Sequence, residues 1–295
     1  MSDRVALSDE IAGALEGGGP AVALETSVLG QGLPEPWNRR AAEAMDAAVR
    51  STGAVPAWTW TAEGRIRIGA TADDLDRLMT RRPAKVARRD LPAALGAGGL
   101  GATTVSATLW AAYRTGIEVA ATGGIGGVHP GTGDVSADLV ELARTPATLV
   151  CSGPKSILDP VATLERLEEL GVGVLGYGTD RLPFFIVRDS GLPLDQRADH
   201  PKEVAAAASA RRDLEIASTL VVCLPCPEEV ALPADLVAEA AARCRDRHRT
   251  VTGKAVTPAL LACLAEETGQ ASLRANLALL EGNALLAGEV AGALT

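Results

Sequence analysis

Apolar, β-branched runs alternate along the chain with alanine-rich runs of helical periodicity. The apolar runs predict strands at 21–29, 117–124, 147–153, 172–178 and 218–225. The alanine-rich runs predict helices at 36–53, 71–81, 103–116, 136–145, 159–171 and 233–247, with Thr71 as an N-cap. The segment 54–71 predicts a β-hairpin that turns near Glu63 and Gly64.

Strand and helix in repeated succession predict an α/β/α layered fold around a central mixed, largely parallel sheet. Between Phe184 and Arg212 the pattern becomes irregular, and the C-terminal tail is helical with breaks expected at Gly269 and Gly282. Because no stretch has linker composition, residues 1–295 are predicted to form one domain.

Composition narrows the class of protein. The net charge is −9 without a basic block and aromatic residues make up 3%, which predicts no nucleic-acid partner. The N-terminus lacks an apolar signal core, and no run of 18 uncharged apolar residues follows, so we expect no membrane partner and a cytoplasmic location. A small phosphate ester stays compatible with an acidic protein, since binding it needs only a few local donors.

The five cysteines show no disulfide spacing. They are Cys151, Cys223, Cys226, Cys244 and Cys263. One pair matches C-x-x-C, but no second pair or histidine follows at zinc spacing, which disfavours a metal or redox role. All five are therefore predicted to be buried, reduced thiols.

Lysine is rare: of 28 basic residues only Lys85, Lys155, Lys202 and Lys254 are lysines. Arginine stays protonated, whereas a partly buried lysine amine can lose its proton and attack a carbonyl carbon. The remaining lysines are thus candidates for chemistry, with residual surface charge as the alternative. Lys155 directly follows an apolar run and a glycine-proline turn.

A carboxylate, Glu25, interrupts the apolar run at 21–29. It lies either at the open end of a strand or inside the core, and both positions suit general acid catalysis. Exposure at the edge of the sheet is the alternative.

Two glycine-rich segments are candidates for ligand binding. Thr103 and Thr104 follow the first and precede a helix, which predicts a phosphate site at the helix start, with simple N-capping as the alternative. The second, 121–139, is no dinucleotide fingerprint, because His129 occupies the position of its third glycine. This loop also carries Asp134 and Asp138, where a carboxylate could hold a hard divalent cation; for Asp138, a first-turn acid favoured by the helix dipole is the alternative.

Together these segments resemble the pseudouridine-5′-phosphate glycosidase family, including its C-ribosyl synthase members. The motifs are ALETSVLGQGLPEP, GAVPA with GRIRIG, KVARRDL with GATTVSAT, and ATGGIGGVH through SADL to CSGPKSILD. The resemblance implies one α/β/α layered domain, commonly a homotrimer, that uses Mn²⁺ or a similar ion such as Mg²⁺. It also implies a C–C bond made or broken between C1′ of ribose 5-phosphate and a base, through an imine to the opened sugar.

The same resemblance implies a role for each matching residue. Lys155 is the nucleophile that forms the imine, and Glu25 is the proton donor. Asp134 holds the metal ion. The implied substrate contacts are Lys85, the backbone of Val105, Ser136, Ala137 and Asp138, and Thr103, Thr104 and His129 complete the predicted substrate-binding set.

The chain also departs from the family pattern. Gly30, Gln31, Gly32 and Leu33 stand where the family usually has serine, histidine, glycine and methionine. The departure favours synthesis on a non-uracil aromatic acceptor, because lost hydrogen-bonding groups weaken the case for uracil. The alternatives are the glycosidase that yields uracil and ribose 5-phosphate, and a non-catalytic phosphosugar-binding protein, which would not need both Lys155 and Glu25.

Overall fold

A computed structural model describes residues 4–131 and 133–295 of the chain, and its strands form one eleven-stranded sheet. The strands are β1 Val5–Leu7, β2 Ala21–Glu25, β3 Val55–Ala62, β4 Arg65–Ile68, β5 Ala84–Val86, β6 Gly101–Thr103, β7 Val119–Ala121, β8 Thr148–Cys151, β9 Gly173–Tyr177, β10 Arg197–Ala198 and β11 Leu220–Cys223. Their order is β1-β4-β3-β2-β7-β8-β11-β9-β10, with β6 pairing both β3 and β5.

Eleven α-helices lie among the described residues. They are α1 Asp9–Glu16, α2 Trp37–Ser51, α3 Ala72–Arg81, α4 Leu91–Ala97, α5 Val105–Tyr113, α6 Ala137–Leu142, α7 Pro160–Glu169, α8 Pro201–Asp213, α9 Ala234–Arg247, α10 Val256–Glu267 and α11 Ala271–Leu294. A π-helical turn spans Val28–Gly32, and 3₁₀ turns span Arg88–Asp90 and Gly253–Ala255.

The sheet is mixed and largely parallel, as the sequence predicts. Among the described strand pairs, only β3 with β4 and β3 with β6 are antiparallel. The β3–β4 hairpin turns at Glu63 and Gly64, both with positive φ, which matches the twist of a tight hairpin. Thr71 caps α3 with its side chain, which confirms the predicted N-cap.

Helices cover both faces of the sheet because successive strand residues point to opposite sides. In β2, Val22 and Leu24 pack in one buried cluster with residues of α2 and α11, including Met45 and Leu279. Ala23 of the same strand packs in a second cluster with residues of α5. The predicted α/β/α layering is confirmed, and the assignment of residues 1–295 to one domain stays a prediction.

The C-terminal helix is longer than the sequence indicates. The break predicted at Gly269 is present, but α11 continues through Gly282. A glycine inside a helix costs only about 1 kcal/mol relative to alanine, and buried neighbours such as Leu280 and Ala284 offset that cost. In the described part of the chain, α11 is the one helix long and apolar enough to cross a membrane, yet it packs against α2, α8 and the sheet.

Three further expectations are wrong. The strand predicted at 21–29 ends at Glu25, because the chain turns into the π-helix there. The irregular stretch between Phe184 and Arg212 contains most of α8, whose alanine-rich sequence hides the usual amphipathic pattern. Cys244 and Cys263 form a disulfide, because packing of α9 against α10 brings their Cα atoms to 5.7 Å, which a separation of 19 residues does not reveal.

The other three cysteines are buried free thiols, as predicted. Cys151 and Cys223 are register partners on the paired strands β8 and β11, and Cys226 lies just beyond β11. Their interior position agrees with a packing role.

Candidate active site

Three neighbouring parallel strands end at the same edge of the sheet. β7 lies between β2 and β8, and Ala121 of β7 pairs with Leu24 on one side and Val150 on the other. Glu25 ends β2, Thr122 follows β7, and the turn that leads to Lys155 follows β8. Open α/β sheets bind ligands at this edge, so the topology brings the predicted acid and nucleophile together.

The turn before Lys155 requires glycine. Gly153 has φ of +76°, and a Cβ added there would lie 1.9 Å from the carbonyl oxygen of Pro183. The tight turn lets the Lys155 backbone N–H donate to the carbonyl of Ile125 at 3.1 Å. Its side-chain Nζ donates to the carbonyl of Gly124 at 2.5 Å, which holds the amine beside the loop after β7.

Glu25 is buried inside a central strand, with 5% of its surface exposed, so the alternative of edge exposure is wrong. Thr122 donates its hydroxyl to Oε1 of Glu25 at 2.5 Å, and Ser27 donates its hydroxyl to Oε2. Both oxygens are therefore fixed by short side chains, which holds the carboxyl group in one orientation.

Hydrogen bonds from α11 hold the loops that carry Thr122 and Lys155. Asn283 is fully buried and donates its amide to the carbonyl of Thr122 at 2.8 Å and to the hydroxyl of Ser152 at 3.1 Å. One side chain thus ties the loops after β7 and β8 to the same helix. Sequence reasoning missed Asn283, because it lies in a tail whose only visible signal is helical periodicity.

Two adjoining cavities are lined by the predicted site residues other than Thr103 and Val105. The first, which we call the reaction cavity, is lined by Glu25, Gln31, Lys85, Lys155, Phe185 and Asn276, among others. The second, which we call the anion cavity, is lined by Lys85, Arg89, Thr104, His129, Ser136 and Lys254, among others. Lys85 and Thr257 line both, so a ligand can extend from one cavity into the other.

Lys85 projects from β5 at the boundary of the two cavities. Burial lowers the pKa of its amine, and the positive charge of Lys155 lowers that pKa further, while Asp138 and Glu25 act in the opposite direction. Lys85 therefore loses its positive charge at a lower pH than an ordinary lysine does.

This shift predicts a pH-dependent affinity for ribose 5-phosphate. As the pH rises from about 7 to about 10, Lys85 should deprotonate early and KM should increase before the ordinary lysine range is reached. Lys85→Arg keeps its charge throughout, so its KM should stay flatter, with measurable activity retained. Steady-state kinetics on both proteins measure this; identical pH profiles would contradict the assignment.

The anion cavity brings the cations Lys85, Arg89 and Lys254 to a helix start, together with the carboxylates of Asp134 and Asp138. Lys254 forms an ion pair with Asp90 at 2.6 Å and donates to the backbone carbonyl of Lys85 at 3.3 Å. Thr104 is the N-cap of α5, and its hydroxyl pairs with that of Ser106 at 3.0 Å. Cations together with the N-terminus of α5 suit a phosphate group.

Arg89 and Lys254 were not among the predicted substrate contacts. Arg89 lies in KVARRDL, one of the motifs that carry the family resemblance, so a signal for this residue was available. The sequence does not show that Arg89 and Lys254 are close in space, because they are 165 positions apart in the chain. The fold places both of them on one cavity.

Asp138 and Thr103 have bonding partners within the protein. Asp138 is buried and accepts from the backbone N–H groups of Ser106 at 3.2 Å and Gly126 at 3.1 Å, which joins the glycine loop to α5. Thr103 is fully buried and donates its hydroxyl to the carbonyl of Thr59, so its side chain faces the core. Ala137 lines the anion cavity, and Val105 begins α5 behind Thr104.

The metal-binding candidate is more exposed. Asp134 lies on the outer wall of the anion cavity near His129, whose pKa is lowered by burial although the charge of Asp134 opposes that shift. Within 4–131 and 133–295, no group of three or more histidine, cysteine or acidic residues is placed to hold a metal ion. The neighbouring Thr132 lies outside the described residues.

Comparison with known proteins shows similarity over nearly the whole chain. The sequence profile of a family described as indigoidine synthase A like protein matches residues 10–293. A pseudouridine-5′-phosphate glycosidase of Gemmatimonas aurantiaca is 50% identical over 95% of this chain and 93% of its own. The same enzyme of Methylobacterium nodulans is 48% identical over 97% of this chain and 86% of its own.

Two solved structures share the fold. The prealnumycin C-glycosynthase AlnA, in complex with ribulose 5-phosphate, is 39% identical with a TM-score of 0.89 and covers 100% of this chain and 98% of its own. An indigoidine synthase A-like protein of Thermotoga maritima is also 39% identical, with a TM-score of 0.92, over 99% of this chain and 97% of its own. The chain therefore belongs to the indigoidine synthase A like family, and its relatives of 48% and 50% identity are pseudouridine-5′-phosphate glycosidases.

Proposed function

We propose that this protein makes or breaks a C–C bond between C1′ of ribose 5-phosphate and a ring carbon of an aglycone, through an imine on Lys155. Membership of the family makes the chain an enzyme of C-glycosidic bond chemistry on a ribose phosphate. The observation that carries the mechanism is the meeting of Lys155 and Glu25 in one cavity that adjoins a cation-lined one.

In the synthetic direction, opened ribose 5-phosphate presents the aldehyde carbon C1′ to Lys155. The neutral amine adds to C1′, and loss of water gives the imine. A nucleophilic ring carbon of the aglycone then attacks C1′ and loses its proton. The C4′ hydroxyl displaces the amine, which closes the sugar ring and frees Lys155. Cleavage follows the same steps in reverse, and water releases the sugar from the imine.

The remaining residues place the substrate and move protons. Glu25 carries the proton that the aglycone carbon gains on cleavage and loses on synthesis, held in place by Thr122 and Ser27. Lys85 bridges the reacting carbon and the phosphate, and Lys254 with Arg89 extends the positive wall around the phosphate. The phosphate thereby anchors the sugar so that C1′ reaches Lys155.

The direction and the natural aglycone are the finer part of the proposal. The relatives are named for cleavage of pseudouridine 5′-phosphate, and AlnA is named a C-glycosynthase. The preference for a non-uracil acceptor, drawn from residues 30–33, stays a prediction without support from these relatives. Incubation with pseudouridine 5′-phosphate tests the point: uracil released at about 1 s⁻¹ or faster would identify the glycosidase direction.

A non-catalytic phosphosugar-binding protein is the competing function. Such a protein would use the anion cavity but would gain nothing from a buried carboxyl group beside a lysine amine. Glu25 is desolvated at a cost that a pure binding site avoids. The paired arrangement therefore favours the enzyme.

A divalent cation, Mn²⁺ or Mg²⁺, is proposed at Asp134. An exposed carboxylate with one imidazole nearby fits a hard, mostly hydrated ion bound through few protein ligands, and does not fit a closed multi-ligand cage. When bound, the ion would supply positive charge beside the phosphate. Homotrimer assembly and cytoplasmic location stay predictions.

Removal of this cation should lower activity. We expect chelator treatment followed by desalting to reduce the rate and added Mn²⁺ to restore it, because the ion supports phosphate binding. Asp134→Asn should weaken Mn²⁺ binding measured by calorimetry while leaving the thermal midpoint close to wild type, since Asp134 is exposed. Full activity after verified metal removal would refute the requirement.

A further inference from the structure

Arg88 and Glu141 form an ion pair whose carboxylate is buried. Nη1 of Arg88 lies 2.9 Å from both Oε1 and Oε2 of Glu141, and the Glu141 side chain is 4% exposed. Thr145 donates its hydroxyl to the same carboxylate. Since an unpaired charge in the interior is costly, a buried carboxylate of this kind depends on its partners, unlike an ion pair at the surface.

The pair joins two segments that form walls of the anion cavity. Arg88 begins a 3₁₀ turn directly after β5, and its neighbours Lys85 and Arg89 line the cavity. Glu141 lies on α6, and the N-cap of that helix, Ser136, lines the cavity as well. Arg88 and Glu141 are not among the described residues that line the anion cavity, and they line a neighbouring groove instead. They are therefore placed to support the cavity and not to contact its ligand.

A third segment completes a closed ring of hydrogen bonds. The backbone N–H of Arg88 donates to the hydroxyl of Ser106 on α5 at 3.3 Å. The backbone N–H of Ser106 donates to Asp138 at 3.2 Å, and Asp138 lies one turn before Glu141 on α6. The ring thus runs from the turn after β5 to α5, then to α6, and back to Arg88. No segment of the ring can shift without straining two contacts, which fixes the three relative to one another.

The guanidinium group of Arg88 is also held from the side of α5. Its Cζ lies over the ring of Trp110 at 5.6 Å from the centroid. A planar, delocalised cation stacks on an indole ring, whereas a lysine ammonium at the same position would keep the charge and lose the plane. The stack therefore orients the group that reaches Glu141.

We infer that Arg88 and Glu141 are positioning residues that hold the walls of the anion cavity at the spacing required by the phosphate of ribose 5-phosphate. The inference rests on the proposed function and goes beyond it, because neither residue contacts the sugar phosphate. Without the pair, the segment that carries Lys85 and Arg89 would no longer be fixed to α6, and the donors would converge less well on the phosphate. The amine of Lys155 is held elsewhere, by the carbonyl of Gly124, so its reaction with bound sugar should persist.

Saturation of borohydride trapping separates these two effects. Trapping on Lys155 at a series of ribose 5-phosphate concentrations gives a half-saturating concentration and a maximal rate of adduct formation. Glu141→Gln should raise the half-saturating concentration about 10-fold or more, because the donors to the phosphate are misplaced. Its maximal rate should stay within about 3-fold of wild type, since loss of uniform binding leaves the chemical step unchanged.

Further variants keep the test independent of folding defects. Arg88→Met leaves the buried carboxylate unpaired, whereas Arg88→Met combined with Glu141→Gln removes both charges and should fold. The double variant should bind ribose 5-phosphate as weakly as Glu141→Gln does, and Arg88→Lys should recover part of the affinity. The control is Arg212→Met, which breaks a surface pair with Glu118 at the opposite edge of the sheet and should behave as wild type. A folded double variant with the half-saturating concentration of wild type would overturn the inference.

Ribose without a phosphate distinguishes positioning from general damage to the site. D-ribose cannot use the anion cavity, so its trapping on Lys155 should be the same in wild type and Glu141→Gln, while the preference for ribose 5-phosphate falls about 10-fold or more. An equal fall for both sugars would overturn the positioning role. If wild type gave no adduct at all, the imine mechanism would be rejected, and calorimetry of ribose 5-phosphate binding would then decide this inference: a Kd about 10-fold or more higher in Glu141→Gln supports it, and an equal Kd overturns it.

Discussion

Lys155→Arg and Lys155→Ala should both be inactive in C–C bond formation and cleavage. The reaction needs a free amine that attacks C1′, and a guanidinium group supplies none near neutral pH. A lysine that only paired with phosphate would tolerate arginine, because the charge survives. The assay measures uracil released from pseudouridine 5′-phosphate, or its reverse, over long incubations with concentrated protein.

The matched control is Lys202→Arg, which changes an exposed lysine in the first turn of α8 and should leave the rate unaltered. Lys85→Arg is an intermediate case, where charge is retained at a substrate-contacting position. If Lys155→Arg kept more than about a tenth of wild-type activity, the activation barrier would have risen by less than about 1.4 kcal/mol. Lys155 would then not be the imine lysine.

Glu25→Gln should separate imine formation from proton transfer. The amide has nearly the same shape and can still bond the hydroxyls of Thr122 and Ser27, so the cavity should remain intact. It cannot donate or accept the proton of the aglycone carbon. We expect the turnover rate to fall roughly 10²–10⁴-fold while ribose 5-phosphate is still trapped on Lys155.

Glu289→Gln, an exposed acid on α11, controls for the general effect of removing a carboxylate. Turnover of Glu25→Gln within about 3-fold of wild type would show that another group moves the proton, since removal of a general acid has a much larger effect. Loss of the trapped adduct as well, in a folded variant, would assign Glu25 to imine formation instead.

The layered fold was predictable because the pattern of each strand and helix is local. Val22 and Leu24 alternate with Ala23 in β2, which is the period of a strand buried on both faces. α8 escaped prediction because a run of alanines gives no amphipathic contrast, and its place is decided by packing against α11. The disulfide between Cys244 and Cys263 likewise depends on how α9 meets α10.

Some residues of the candidate site could be predicted from the sequence, and others could be found only in the folded structure. Glu25 and Lys155 were recognisable because a carboxylate inside an apolar run and a rare lysine after a strand both break the local pattern. Thr103 was assigned to the substrate together with Thr104. Because neighbouring residues of an extended chain point to opposite sides, the Thr103 hydroxyl instead faces the core. Asn276 gave no signal in the sequence, and Gln31 was visible only as a departure from the family pattern, because the unpaired oxygen of each side chain arises only in the folded chain.

The central claim is that Lys155 forms an imine with ribose 5-phosphate, and trapping by borohydride tests it most directly. Reduction of the incubated protein followed by peptide mass spectrometry should show one sugar-phosphate adduct, on Lys155, that is absent from Lys155→Arg. The other lysines, Lys85, Lys202 and Lys254, should remain unmodified at the same exposure to sugar and reductant. Binding of ribose 5-phosphate by calorimetry without any adduct on Lys155, or an adduct of equal yield in Lys155→Arg, would contradict the account.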